Sequence, residues 1–378
     1  MRIIDRYLLR QFLQVLAICF CSLTGLYVVF DAFGNLDEFL RYGEKQGGVF
    51  ALLAEYYAYR SIFFFDRTSG ILALVAAMFT VTWIQRHNEL TALAAAGLST
   101  GRVMRPVLVA AMAVALFAAL NREIVIPKLS GPLSRDAKDL LGDTGRDLQP
   151  RYDQKTDIFF RGRQTFANEQ KIVEPNFLLP PGLDSYGKQL AAAEGFYRPA
   201  DANHPSGYLL RGVTEPEVLA AQPSLQFNNE TIVFTPKESA AWLKPDECFV
   251  ASEVNFEQLT GGNRFRQFSS TRQLILGLSN PSLDFGADVR VTIHSRIVQP
   301  VLDITLLLLG LPLVLARENR NIFLAIGLCL GIVTLFMMVI IACQYLGGIY
   351  LLSPALAAWL PLMIFLPAAV GMSDPLRA

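Results

Sequence analysis

Charge is what this 378-residue sequence lacks over long stretches near both ends. Gln11 to Phe30, Thr68 to Gln85 and Pro106 to Asn121 contain no Asp, Glu, Lys or Arg, and Ile297 to Ala316 carries only Asp303. Asn321 to Ser373 adds the absence of His. Runs of this kind exclude an ordinary soluble domain. Other scarcities narrow the field further. The formal net charge is zero and no basic stripe appears, which excludes a nucleic-acid partner. No Gly-x-x-x-x-Gly-Lys-Ser/Thr loop is present, so the chain is not expected to hydrolyse ATP itself. His87, His204 and His294 fall in three separate regions, so a histidine-based metal site is not expected, nor is any cofactor. Of five cysteines, only Cys248 lies outside the apolar runs, so the segment holding it must be stabilised by its own core rather than by an internal disulfide.

What is present is a three-plus-three arrangement of spans around a polar middle. A helix rises about 1.5 Å per residue, so roughly 20 apolar residues cross the hydrocarbon core. The run from Asn321 is too long for one crossing, and Gln344-Tyr345-Leu346-Gly347-Gly348 with Ser353-Pro354 divides it at about 344–353. Six helices are expected, since lipid leaves backbone polar groups no other partner. Arg2, Arg6 and Arg10 precede a first span too long for a signal peptide's apolar region, so a retained helix is expected.

Basic residues in short loops set the orientation. Arg2, Arg6, Arg10, Arg86, Arg102, Arg105, Arg317, Arg320 and Arg377 share the side of both termini, against Arg41, Lys45, Arg60 and Arg67 on the other. The first side is expected to be cytoplasmic, with residues 122–296 extracytoplasmic. The domains so defined are 1–121 with three spans, 122–296, and 297–378 with three spans. Within the middle segment, runs such as Asp157–Arg161, Gly207–Arg211, Glu230–Phe234 and Cys248–Ala251 alternate with Pro, Gly, Asn and Asp clusters, which predicts an all-β domain of sandwich or jelly-roll type. Ser134–Leu141 and Thr271–Leu278 read as helical flanks.

Between spans two and three, residues 87–97 predict a short cytoplasmic helix, with Asn88 as its cap and Gly97 as its stop. Leu90, Leu93 and Ala94 share one face of that helix, which can serve as a lever on a soluble partner or as a plain interfacial loop helix. Asp303, about two turns into span four, is an intramembrane acid with either a functional or a structural pairing role. Arg296, at the mouth of that span, can touch lipid phosphate or anchor the helix.

Four stretches together resemble the LptF/LptG family, the permease subunits of the lipopolysaccharide export ABC transporter. They are Ile4-Asp5-Arg6-Tyr7-Leu8-Leu9-Arg10-Gln11, then Asn88-Glu89-Leu90-Thr91-Ala92-Leu93 with Ala96-Gly97-Leu98-Ser99. Ser295–Pro300 leading into Leu309–Leu313 is the third, and Leu356-Ala357-Ala358-Trp359-Leu360-Pro361 is the fourth. The resemblance covers both membrane halves and is weak in the middle domain. It implies a bacterial inner-membrane protein paired with a second permease subunit of the family above a dimer of cytoplasmic ATPase subunits. Glu89, Leu90 and Leu93 would couple to the ATPase. The first and fifth spans would form lateral gates, with Phe30, Asp31, Phe33 and Arg296 at the lipid entry. The middle domain would continue into a periplasmic β-jelly-roll bridge protein that receives lipopolysaccharide.

One departure bears on the cargo. Where the G branch of the family places phosphate-facing lysines, this chain has Asp31, Asp37 and Glu38, and like charges repel. Either the partner subunit supplies cations, or the cargo differs, or these acids only solvate a loop. A membrane enzyme acting on a lipid or isoprenoid-linked substrate, with those acids near the outer surface, is the alternative function. A scaffold that only tethers an envelope complex is a third.

Overall fold

The computed structural model describes residues 3–43, 48–139, 145–185, 187–201, 204–217, 219–239, 241–283, 286–315 and 322–373. The basic residues Arg2, Lys45, Arg317, Arg320 and Arg377 of the orientation argument lie outside them, as do residues 140–141 of the first helical flank. The chain divides into two compact units, Met1–Leu129 with Gly286–Ala378, and Ser130–Phe285.

The first unit is helical. Its elements are α1 (Ile3–Gly34), α2 (Leu36–Gly43), α3 (Val49–Arg86), α4 (Glu89–Ala95), α5 (Thr100–Leu120), α6 (Ala287–Leu315), α7 (Ile322–Gly348) and α8 (Pro354–Gly371). Among the described residues, six helices are long and apolar enough to cross a bilayer: α1, α3, α5, α6, α7 and α8. Local chemistry sets their ends. Ser99 caps α5 by accepting from the Arg102 amide, and Ser353 caps α8 in the same way ahead of Pro354 in its first turn. The break between α7 and α8 falls in the turn that Gly347-Gly348 and Ser353-Pro354 predict.

Helix α3 has 38 residues, about 57 Å of rise, nearly twice a bilayer core. The predicted span from Thr68 is its second half; the first half carries Glu55, Arg60, Asp66 and Arg67. Helix α6 is the hub of the unit, packing against α3, α5, α7 and α8, while α1 lies on α3 and α5. Phe12, Leu74, Met104, Leu306, Leu311 and Phe336 belong to one shared apolar core. Helix α1 contributes little to it: only Leu8 and Phe12 are buried, while Leu26, Phe30 and Phe33 stand exposed.

The second unit is the expected β-rich insertion between the third and fourth spans. Its strands are β1 (Arg146–Asp147), β2 (Arg151–Asp153), β3 (Ile158–Arg161), β4 (Gln164–Phe166), β5 (Lys171–Val173), β6 (Asn176–Leu178), β7 (Gln189–Arg198), β8 (Gly207–Glu215), β9 (Leu225–Phe227), β10 (Glu230–Phe234) and β11 (Glu247–Ala251). All of them join one sheet, with pairing order β1-β4-β5-β7-β8-β11-β10-β9. It forks at β7, whose Gln189–Ala191 pair with β6 while Glu194–Phe196 pair with β5, and the branch continues through β3 to β2. Phe160, Phe177 and Tyr208 are fully buried and in ring contact. The Tyr208 hydroxyl is satisfied by donating to the Val254 carbonyl at 2.9 Å. Two helices follow the sheet. Thr271–Leu278 matches its predicted bounds, and Phe256–Phe268 was not anticipated, although Asn255 and Gln258 form its capping box.

Cys248 lies inside this unit, on β11. Burial pushes its thiol up to about 12, so it holds its proton at neutral pH. Alkylation by a maleimide at pH 7–8 is expected at Cys248 only after denaturation; mass spectrometry showing rapid native-state labelling there would contradict this burial.

Candidate functional site

Three helices of the membrane unit bring charge to one level. Asp66 and Arg67 stand about 20 residues before the end of α3, Arg122 follows α5 directly, and Arg296 stands about 19 residues before the end of α6. Counted from helix ends that lie on the same side, each is about 30 Å along its span. Arg122 reaches inward because α5 runs into a π-helical turn, Asn121–Val125, which widens the helix by one residue. The Arg122 Nε donates to both Asp66 oxygens, at 3.0 and 3.1 Å. Asn121 steadies that turn by donating to the Ile62 carbonyl at 3.0 Å. Arg296 lies within electrostatic range of Arg122, Arg67, Asp66 and Glu123. Three guanidiniums therefore outnumber two carboxylates at this level. Asp66 side-chain exposure is only 5%, where such pairs are poorly screened.

Asp303 sits about 10 Å deeper, two turns along α6 from Arg296. It accepts from Gln299 Nε2 at 2.8 Å and lines a small space of about 10 Å³ between α3, α5 and α6. Gly70 is what lets the acid fit: a Cβ there would lie 2.5 Å from Asp303 Oδ1. Asp303 and Arg296 thus share Asp66 and Arg122 as electrostatic neighbours.

Asp31, near the end of α1, accepts from the Tyr57 hydroxyl of α3 at 2.8 Å. Tyr57 also packs edge-on against Tyr27, and the Arg60 guanidinium lies over the Tyr56 ring at 4.6 Å, within electrostatic range of Asp31. The carboxylate is therefore engaged by donors of its own chain. Asp37 and Glu38 open α2, where a helix N-terminus favours acids. Phe30 and Phe33 remain 71% and 75% exposed on α1.

The short helix α4 stands at the opposite end of the bundle. Gly97, at φ +81°, ends it in the left-handed conformation that glycine permits. Asn88 occupies the cap position but is itself left-handed (φ 55°) and makes no side-chain cap bond, a difference from the expected capping. Asparagine tolerates that conformation better than most residues, so the helix begins without its cap. Glu89 accepts from the Tyr7 hydroxyl of α1 at 3.3 Å, and Arg102 of α5 bonds Asp5 of α1 at 3.3 Å. Leu90 and Leu93 face inward onto the apolar core, while Ala94, expected on the same face, is exposed together with Thr91, Ala92, Ala95 and Ala96.

The predicted residues thus fall in three places: Arg296 with Asp303, Phe30 with Asp31 and Phe33, and Glu89 with Leu90 and Leu93. Sequence reasoning missed Asp66, Gly70, Arg122 and Tyr57. A signal for the charged ones was there, since Asp66, Arg67, Arg122 and Arg296 each border an apolar run, and the alternating direction of the spans puts those borders on one side.

Comparison with curated proteins found no match. A model of the family described as lipopolysaccharide export system permease LptF/LptG matches residues 6–174 and 227–373. The matched parts include all six spans, the loop helix α4 and both ends of the β-rich insertion. With most of its length covered by that match, the chain is a multi-pass membrane protein belonging to the LptF/LptG family of lipopolysaccharide export permeases.

Proposed function

We propose that this chain is one permease subunit of an ABC transporter that draws lipopolysaccharide or a related glycolipid from the inner membrane and passes it to a periplasmic β-jelly-roll bridge protein. ATP hydrolysis belongs to a separate cytoplasmic subunit dimer, and a second permease subunit of the family completes the membrane part. In this reading both termini and α4 are cytoplasmic, and residues 122–296, which include the inserted unit Ser130–Phe285, lie on the periplasmic side.

The observation that carries the reading is the guanidinium cluster at the outer level of α3, α5 and α6 in the same unit as an α1 whose apolar face is uncovered. An amphipathic lipid with anionic headgroup groups needs both: an apolar surface for acyl chains and fixed cations for phosphate. Arg67, Arg122 and Arg296 offer the cations that the acidic 31–38 stretch does not. Asp31 is held by Tyr57 and does not need to face the headgroup.

Helix α4 supplies the drive. Leu90 and Leu93 hold it to the core, so force on its exposed face is transmitted to α3 and α5. Glu89 opens that face and is placed to pair with a cation of the ATPase. The Glu89→Ala change removes only an exposed 3.3 Å bond within this chain, worth about 1 kcal/mol or less. It is expected to leave thermal stability nearly unchanged while cutting lipid-stimulated ATPase activity of the purified complex several-fold. The transport reading fails if no ATPase co-purifies in mild detergent, or if Glu89→Ala leaves that activity unchanged.

A further inference from the structure

The inserted unit hides its large apolar side chains almost completely. Among its described residues only Tyr152, Ile275 and Leu276 are exposed, at 46%, 48% and 60%. Tyr152 is accounted for locally, since its hydroxyl donates to Asp157 Oδ1 at 2.7 Å and its ring meets Phe159. Ile275 and Leu276 are neighbours on the helix Thr271–Leu278, which precedes the fourth span.

Helical spacing puts both on one face with Arg272, one turn earlier, and Ser279, one turn later. All four are exposed, whereas Leu274 and Gly277 on the opposite side are buried. The helix is held in that rotation. Ser270 and Gln273 form a capping box at its start. Beyond its end, Asn280 Nδ2 donates to the Glu253 carbonyl at 3.0 Å, and the Gln154 amide donates to the Ser282 carbonyl at 3.1 Å. Turning Ile275 and Leu276 inward would break these bonds.

The face is narrow, and its one charge is the cation Arg272. Two apolar side chains fall far short of the roughly 800 Å² per partner that a stable protein interface buries. A lipid surface demands less of a helix that the chain already tethers to a span, because the tether supplies a high local concentration. Isoleucine and leucine enter the acyl boundary while an arginine beside them stays at anionic headgroups. Leu278 lies nine residues before Ala287, the start of α6, and an extended chain of that length spans about 30 Å. The charged level at Arg296 is a further nine residues along α6, about 14 Å. The bilayer surface is therefore within reach of the tether. We propose that the face formed by Arg272, Ile275, Leu276 and Ser279 docks on the membrane surface beside the fourth span, with Arg272 at lipid phosphate, and anchors the inserted domain there. The inference rests on the membrane-spanning fold and is independent of the cargo.

The test uses the full-length chain in lipid nanodiscs, with the subunits that co-purify with it. A fluorescent amino acid replaces Ser279, and a second preparation carries it at Gln226, an exposed position of β9. Lipids brominated on their acyl chains should quench emission at 279 by about half and hardly affect 226. Dissolved iodide should do the reverse. Changing Ile275→Asn together with Leu276→Asn should abolish lipid quenching at 279 and leave the Tm in detergent nearly unchanged, because both side chains are exposed. Arg272→Glu, a single exposed change, should reduce the quenching several-fold in phosphatidylglycerol discs and less in phosphatidylcholine discs. The proposal is overturned if iodide quenches 279 and 226 alike, which leaves the face in water, or if 279 is shielded from both quenchers, which assigns the face to a protein partner. It is equally overturned if both variants are quenched by brominated lipid as the parent is.

Discussion

Replacing Asp66 by alanine is expected to destabilise the membrane unit by about 3–5 kcal/mol, the cost of leaving one partner of a buried ion pair uncompensated. Arg122 would lose both of its carboxylate contacts at once. The remaining guanidiniums, Arg67 and Arg296, would then face it, with Glu123 and the deeper Asp303 as the carboxylates still within electrostatic range of the cluster. The low exposure of Asp66, 5%, puts the pair well outside the surface class, which contributes about 0–1 kcal/mol. Asp66→Asn retains a hydrogen-bond acceptor but not the charge, so it should fall between the parent and Asp66→Ala. Thermal unfolding in detergent measures the difference, and the loss should change little between low and high salt because buried charges are weakly screened. A loss in Asp66→Ala below about 1 kcal/mol would mean that water reaches the pair and that it is not the structural centre of the cluster.

The second large effect is expected at Gly70. A valine there adds three heavy atoms on the line toward Asp303, whose Oδ1 is 2.5 Å from the first of them. The space it lines is only about 10 Å³, so the carboxylate must shift for the valine to enter. Overpacking of this kind costs about 1–3 kcal/mol. Asp303→Ala removes three heavy atoms from the same spot and also a buried acid. The double variant Gly70→Val, Asp303→Ala should therefore recover most of the loss, and the two changes should be strongly non-additive. Additive losses in a double-mutant cycle would show that the two positions do not share this space.

How much of this was legible in the sequence follows from what each signal depends on. The spans were readable because bilayer thickness imposes a length on any charge-free run, and the break near Gly348 was readable from its turn residues. The strands Glu230–Phe234 and Glu247–Ala251 stood out for their apolar and aromatic content between turn clusters. The C-terminal end of α4 was visible in Gly97, whose left-handed φ few other residues adopt. The direction of Leu90 and Leu93 was less open to reading. Their spacing fixes that they share a face, but only the neighbouring helices decide that this face turns inward to the core. The Asp66–Arg122 pair was hidden because 56 residues separate its members and a π turn aims one of them. The close approach of Gly70 to Asp303 was hidden for the same reason, being a property of two helices rather than of either. The helix Phe256–Phe268 was missed although Asn255 and Gln258 carry its capping box, because its low apolar content gives no strong period. The acids at 31–38 looked like candidates for a headgroup clash or for enzymatic acids. In the fold Asp31 is tied to Tyr57, and Asp37 and Glu38 sit in the first turn of α2, while the family of the chain is one of transport permeases.

Lipid capture along α1 is the central claim, and site-specific cross-linking measures it directly. A photoreactive residue placed at Phe30 or Phe33, in the purified complex with its ATPase and lipopolysaccharide, should form a lipopolysaccharide adduct that weakens when ATP binding closes the permease. Leu116 of α5, 61% exposed and equally apolar, serves as the comparison site and should label much less. Equal labelling at Phe30, Phe33 and Leu116, unaffected by nucleotide, would mean that α1 meets only bulk lipid and would contradict the account.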